Sequence, residues 1–558
     1  MDKKISVGDK YSIGVDFGTL SGRALVTDVR SGAELASASF DYPHAVMDEK
    51  FLDGSPLPAD FALQHPGDYL EALYTTVPKI IADAGVSPDD VVGIGIDFTT
   101  CSPLPVTADG TPLCFLKRFK SNPHAYVKLW KHHAAQKYAS KLNETISSLY
   151  PSLLEYYGGK ISSEWIIPKI WQTLAEAPEV YDAADYFIES GDWLVWMLCG
   201  EFSRNSCMAG YKAMYTDSGY PPRELFAALD TRLADLTQTK LGGCVAPIGS
   251  RAGGLTAQMA EKLGLRPGTA IAVATGDAHA TFPALGIGDA GKLLAIMGTS
   301  SCHMTLGRAA DPVKIVPGMC GAVTGGIIPG FVGYEAGQSC VGDHFAWFIE
   351  TLVPADYKNE AQTRGISLHK LLGERAGALK PGESGLIALD WWNGNRSVLV
   401  DADLTGLFIG MTLATKPEEL YRALIEATAF GTRVIVENFI KHGVPVDEFY
   451  AAGGISEKEP FIMQLYADVL GMEIKLSGSA QAAALGSAIF GAVAGGAYDS
   501  VSEASAKMGK LKSLTYKPNA RAKAVYDKLY AEYITLHDYF GRGGNDVMKR
   551  LKKLTIDN

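Results

Sequence analysis

Apolar and polar positions change period repeatedly along the chain, and each change marks an element. Tyr11 to Thr27 reads as two apolar stretches, YSIGVDF and RALVTDV, around a short GTLSG turn. This predicts a strand hairpin, which Glu34 to Phe40 extends as a meander. Val91 to Phe98 (VVGIGIDF) is a short apolar run of the kind that forms a buried strand. Asp68 to Ala84, just before it, has helical spacing. Residues 119–240 are rich in helical patterns, punctuated by Trp130, Trp165, Trp171, Trp193 and Trp196. Aromatics of that size are expected in the core. Ala270 to Ala274 is another buried strand, running into Thr275-Gly276-Asp277. The mixture places the chain in the α/β class.

The opening pattern then returns. Lys292 to Met304 reads as an apolar strand, a Gly-Thr turn and a second strand, so Thr19 and Thr299 lie half a chain apart. An internal duplication explains such a return, and it predicts two similar domains facing one another across a cleft. The glycine-rich GIGDAG segment supplies turn chemistry for a boundary, dividing the chain into residues 1–285 and 286–558. In the second half, Pro417 to His442 is a long amphipathic helix with Leu420, Leu424, Ala427 and Val434 on one face. Phe449 to Ala452 is a strand ending in Gly453-Gly454. Glu459 to Leu470 and Ala482 to Val493 read as helices, and Arg521 to Phe540 as a terminal supporting helix.

Composition narrows the class of function. At 558 residues the chain exceeds one ordinary core, which supports the two-domain reading. Its 47% apolar and 20% charged content is that of a globular protein. A net charge of −11, with no basic stretch interleaved with aromatics, argues against nucleic acid as a partner. The eight cysteines are scattered without a CxxC pair, as expected of reduced thiols in the cytosol. Met1 to Lys10 lacks the apolar core of a signal peptide. No uncharged apolar run reaches the ~18 residues of a membrane span. A cytoplasmic protein without a membrane partner is expected.

Chemistry is concentrated in the turns. In Asp16-Phe17-Gly18-Thr19, Gly18 lets backbone N–H groups approach a phosphate, and the Thr19 hydroxyl adds a donor. Asp16 at the strand end can hold a hydrated Mg²⁺, which takes oxygen ligands. A plain hairpin turn is the alternative. Gly298-Thr299-Ser300-Ser301 repeats the same chemistry, and the pair suits a clamp on nucleotide phosphates from two sides. Two nearby patterns are decoys. Gly286, Gly288 and Gly291 spell GxGxxG but precede a strand, and GxxxxGK there is followed by Leu293 where Ser or Thr must ligate Mg²⁺. The letters DFG lack the HRD loop and Gly-rich loop of protein kinases. Asp277, following a buried strand, either accepts a proton from a substrate hydroxyl or caps the helix after it. His279 reads as a core or capping residue. Gly453-Gly454, between a strand and a helix, suits an adenosine lying on the backbone, or is a simple turn.

Taken in order, strand-DFGT, GDxx, strand-GTSS and AGGIS resemble the FGGY carbohydrate kinases of the actin-like ATPase superfamily. Gly406-Leu407-Phe408-Ile409-Gly410-Met411, then Glu419-Leu420 and Ala423-Leu424-Ile425-Glu426, fit the second-half signature, with Leu424 larger than usual. The first-half signature around Ile167-Pro168-Lys169-Ile170-Trp171 is looser, its Trp one place early. The stretches GVDFGTLSGRALV, KSNPHAYVKLWKHHAAQ, SSEWIIPKIWQTL and ESGDWLVWMLCG are similar to family members that phosphorylate L-ribulose at O5 in L-arabinose catabolism. The resemblance implies two RNase H-like domains around a central cleft, with ATP and Mg²⁺ required. It makes Asp277 the general base and Asp16 the Mg²⁺ helper. Gly18, Thr19, Gly298 and Thr299 would lie at the phosphates, and Gly453 and Gly454 at the adenosine. Ala278 stands where many members have Gln, and Asp97-Phe98-Thr99-Thr100 lacks the Gln-Met-His-Gly run of xylulose kinases. Both disfavour xylulose or glycerol. Candidate sugar contacts are Thr99, Lys212 and Glu335, the last two having a surface lysine and a solvated turn glutamate as alternatives. The expected partner is a small sugar, L-ribulose or a related ketopentose, with a homodimer left open. The rivals are a sister kinase of another ketose or polyol and an actin-like ATPase without sugar kinase activity.

Overall fold

The structure is a computed structural model that describes residues 10–308 and 311–556. In the first half, β1 (Tyr11–Phe17), β2 (Ser21–Asp28) and β3 (Glu34–Asp41) form an antiparallel meander. Strand β4 (Val91–Phe98) runs parallel to β1, and β5 (Ala270–Ala272) parallel to β4. In the second half, β6 (Gly291–Met297), β7 (Ser301–Leu306) and β8 (Val332–Gln338) form a second meander. Strand β9 (Val446–Ala452) runs parallel to β6, and β10 (Ile474–Ser477) parallel to β9. The order β5-β4-β1-β2-β3 is thus matched, strand for strand and direction for direction, by β10-β9-β6-β7-β8. The repeat read from the two Gly-Thr turns is a repeat of topology.

Six helices position the site: α1 (Ile166–Glu176), α2 (Ser206–Ala213), α3 (Asp277–Ala284), α4 (Gly342–Thr351), α5 (Pro417–Lys441) and α6 (Ala482–Ala494). Helix α6 explains the glycines inside the apolar strands. Alternation puts Ile94, Ile96 and Phe98 on the core face of β4, and Gly93, Gly95 and Asp97 on the other. A Cβ at Gly14, Gly93 or Gly95 would run into backbone atoms of Ala484, Gly491 or Ser487. The helix backbone therefore rests directly on the sheet, an approach that only glycine permits. Because α6 comes from the second half of the chain, the division expected at residues 285 and 286 is crossed by this packing.

The segment after residue 495 is more than a helical tail. Leu511–Tyr516 joins the second sheet as an edge strand beside β10, and a further helix, Val547–Ile556, follows the expected terminal one. Among the described residues, no helix is long and apolar enough to cross a membrane.

Candidate functional site

Parallel pairing of β1 with β4 sets Asp16 opposite Asp97, and the short bridge at Thr275–Gly276 sets Thr275 opposite Asp97 in turn. One residue further, Phe17 and Phe98 stack on the opposite face, 5.6 Å between ring centroids. Asp97 is fully buried. One of its oxygens accepts a 2.6 Å hydrogen bond from the Ser487 hydroxyl on α6, and the other has no partner. The chain leaves the sheet at Gly276, and Asp277 opens α3, its Oδ1 accepting the Ala278 N–H at 2.7 Å. Asp277 thus does serve the helix terminus, while lying half-buried beside the other two acids. Burial, and then the nearby Asp16 carboxylate, pushes Asp277 up to about 6. Burial and Asp16 likewise hold Asp97 well above the usual carboxylate range, and burial raises Asp16 despite Arg23 at 3.7 Å. Crowded carboxylates of this kind retain protons or share a cation. All-oxygen donors, one of them buried and unpartnered, fit a hard divalent ion such as Mg²⁺.

The first Gly-Thr turn sits at the end of β1. The Gly18 amide donates to the Ser21 carbonyl at 3.1 Å, and Gln64 Nε2 donates to the Thr19 carbonyl at 2.6 Å. The Thr19 hydroxyl accepts the indole N–H of Trp130 at 3.2 Å. Trp130 is 39% exposed, so it departs from the core role expected of the tryptophans; Trp165, Trp171 and Trp193 keep it. The second turn is pinned to a helix instead. The Gly298 carbonyl accepts the Gly342 N–H at 2.9 Å, and the Thr299 carbonyl accepts the Val341 N–H at 2.8 Å. The N-terminus of α4 is thereby held beside an exposed Thr299, which favours anions there. Gly453 follows the neighbouring strand β9 with φ +94°, and a Cβ there would sit 2.6 Å from the Met297 carbonyl oxygen. Gly454 is exposed, with open space around its Cα. Both glycine turns of the second half therefore lie at the ends of adjacent parallel strands.

The two halves meet in a buried charged cluster. Lys212 Nζ on α2 lies 3.2 and 3.4 Å from the two oxygens of Glu335 on β8. Arg396 and His279 approach the same carboxylate at 3.3 and 3.4 Å. Lys212 is 4% exposed and Glu335 3%. The surface lysine and the solvated turn glutamate are both excluded, since Glu335 stands in mid-strand and is held by three basic groups. Burial opposes charge on Glu335, but Lys212 and then His279 outweigh it and hold its carboxyl below the usual range. Burial also opposes charge on His279, yet Cys207 and Glu335 raise it to about 10. His279 is core, as expected, and also electrostatically engaged. Thr99 is buried at the end of β4, its N–H donating to the Phe17 carbonyl at 3.2 Å and its hydroxyl 3.2 Å from that of Ser102. Arg396 and Gln64 are not singled out by the sequence, Trp130 is read there only as core, and Asp97 is given no role at the site. Of these, only Asp97 left a signal, a lone carboxylate in an apolar run.

Comparison with known proteins agrees with this architecture. The solved structure of a xylulose kinase from Rhodospirillum rubrum superposes with a TM-score of 0.77 at 20% identity, covering 95% of this chain and 98% of that one. A gluconate kinase from Lactobacillus acidophilus gives 0.78 at 19% identity, covering 96% and 99%. Among sequence relatives, a ribulokinase of Bacillus licheniformis is 57% identical over 541 residues, 96% of this chain and 97% of its own. A ribulokinase of Geobacillus thermodenitrificans is 56% identical, covering 98% and 97%. Residues 11–282 match the N-terminal domain of the FGGY family of carbohydrate kinases, and residues 293–495 match its C-terminal domain. With the paired sheets and both glycine turns in place, the chain belongs to the FGGY family of carbohydrate kinases.

Proposed function

We propose that the protein transfers the γ-phosphate of ATP to O5 of L-ribulose, giving L-ribulose 5-phosphate and ADP, a step of L-arabinose catabolism. The observation that carries this reading is Asp277: a half-buried carboxylate pushed up to about 6, next to Asp16. The high identity to ribulokinases across nearly the whole chain supports the choice of sugar.

In this reading Asp277 accepts the proton of the sugar hydroxyl as that oxygen attacks the γ-phosphate in line. A basicity near the working pH suits this task, because the group is deprotonated yet still takes the proton. Thr99, Lys212 and Glu335 orient the sugar hydroxyls from the side of the charged cluster. Gly18, Thr19, Gly298 and Thr299 line the phosphates, the threonines through their hydroxyl donors, with the N-terminus of α4 behind the second turn. Gly453 and Gly454 leave room for the adenosine. Asp16 holds Mg²⁺, which when bound neutralises phosphate charge. The first half, to residue 285, thus carries the base, the first phosphate turn and most of the sugar contacts, and the second carries Glu335, the second phosphate turn and the adenosine site. Closure of the halves excludes water, which would otherwise compete for the phosphate.

ADP release measured over a panel of ketoses and polyols tests the reading. L-Ribulose is expected to give the highest kcat/KM, with the product phosphorylated at O5. Faster turnover of another sugar reassigns the substrate, and ATP hydrolysis indifferent to every sugar overturns the kinase reading.

A further inference from the structure

The first-half signature contains a residue that the site above does not use. Lys169 on α1 is 1% exposed, and among the described residues it makes no ion pair. Its Nζ instead donates to three backbone carbonyls: Cys101 at 2.6 Å, Leu129 at 2.6 Å and Lys128 at 3.3 Å. A second buried lysine lies alongside, with Lys128 Nζ donating to the Lys169 carbonyl, Gln172 and Thr173. Burying an ammonium with no carboxylate in hydrogen-bond contact is costly, and burial lowers Lys169 to about 8, although Cys101, Glu189 and Glu164 nearby act the other way. An apolar side chain there would escape that cost but would leave three carbonyls without this donor.

The carbonyls Lys169 holds supply the reason for this burial. Cys101 has φ +63°, a strained conformation for a residue with a Cβ, and it belongs to the turn from Thr99 to Ser102. That turn carries Thr99 at the end of β4. Leu129 immediately precedes Trp130, whose indole N–H bonds the Thr19 hydroxyl of the first Gly-Thr turn. At its N-terminal end the same helix follows Trp165, whose ring lies 5.9 Å from Lys212 Nζ. One ammonium therefore ties together a sugar-side turn and a phosphate-side strap. Three carbonyls from separate segments suit the compact, three-donor ammonium of lysine, and neither a planar guanidinium nor an apolar chain reproduces it.

We propose that Lys169 is a positioning residue for both substrates, fixing the Thr99–Ser102 turn and the Leu129–Trp130 strap in a single register. This rests on the assignment of sugar and phosphate to those two places. Lys169 touches neither substrate. Its removal frees the Cys101 turn to relax from its left-handed conformation and lets the Trp130 strap drift from Thr19.

The test compares wild type, K169M and W130F, measuring KM, kcat and calorimetric Kd for L-ribulose and for MgATP on folded protein. K169M is expected to weaken both substrates together, by roughly 10-fold or more each, the scale set by ångström misplacement. W130F, which removes only the strap's contact with Thr19, is expected to weaken MgATP several-fold and leave the sugar unchanged. A folded K169M with both constants within twofold of wild type overturns the proposal, even if its melting temperature falls. Weakening of one substrate alone overturns it too. Should K169M not fold, W130F decides: unchanged MgATP binding overturns the proposal. Wild-type binding of L-ribulose and MgATP is the separate control for the functional reading, whose failure appears before any variant is made.

Discussion

The ends of the two central strands share one frame and differ in chemistry. Aligned on their Gly-Thr turns, Asp16 of β1 corresponds to Ile296 of β6, and Phe17 to Met297. Their partners across the parallel ladder differ in the same way, since Asp16 faces Asp97 whereas Ile296 faces Ala452. The first half thus places an acidic pair where the second places an apolar one. After the partner strand, Thr99 is buried in the first half, while Gly453-Gly454 in the second leaves open backbone. The duplicated frame fixes where each turn stands, and the side chains at two register positions make one strand end acidic and the other apolar.

Breaking the acidic side should have the largest effect. Asp277→Ala is expected to lower kcat by about 10²–10⁴ while leaving ATP affinity within a few-fold, measured by steady-state kinetics and calorimetry. Only ionised Asp277 accepts a proton. The kcat/KM of the free enzyme should therefore fall tenfold per pH unit below about 6 and be flat above it. Stability runs the other way. A carboxyl raised in the folded state favours folding at low pH and loses that contribution as pH rises through about 6. Asp277→Asn should accordingly melt higher than wild type at pH 8, by roughly 1–2 °C, by about half as much at pH 5, and not at all below about pH 4, although it is inactive.

Next in size is the cluster joining the halves. Glu335→Gln leaves Lys212 and His279 buried without their counter-charge. It is expected to destabilise by about 3–5 kcal/mol in denaturant unfolding and to raise the KM for sugar more than that for ATP. On the apolar side, Gly453→Ala puts a Cβ against the Met297 carbonyl at φ +94°. ATP affinity should fall about tenfold, with sugar binding and the pH limb unchanged, which would separate the two strand ends functionally. The smallest effect is expected from Ser487→Ala. It removes the hydrogen bond that Asp97 receives from α6 and should cost about 1–3 kcal/mol of stability with little change in KM.

Much of this was legible from local pattern. The period-two runs and glycine turns placed β1, β2, β4, β6 and the helix at Pro417–Lys441, because strand alternation and turn conformation depend on nearby residues. The return of the Gly-Thr turn announced the repeated sheet, and motif order announced the family. Long-range packing decided the rest. VVGIGIDF reads as a buried strand, but the reason for its glycines appears only when α6, nearly 400 positions later, is seen resting on Gly93 and Gly95. Lys212 and Glu335 read either as sugar contacts or as surface charges until the tertiary fold buries them against one another, since a charge in isolation belongs in water. Trp130 reads as core until the strap it belongs to is placed beside Thr19. The sequence by itself determined the elements, the turns and the repeat, whose causes lie within a few residues. Only the tertiary structure decided which charges are buried, which meet and which acid is pushed up in pKa, because burial and Coulomb interactions depend on neighbours the chain brings from far away.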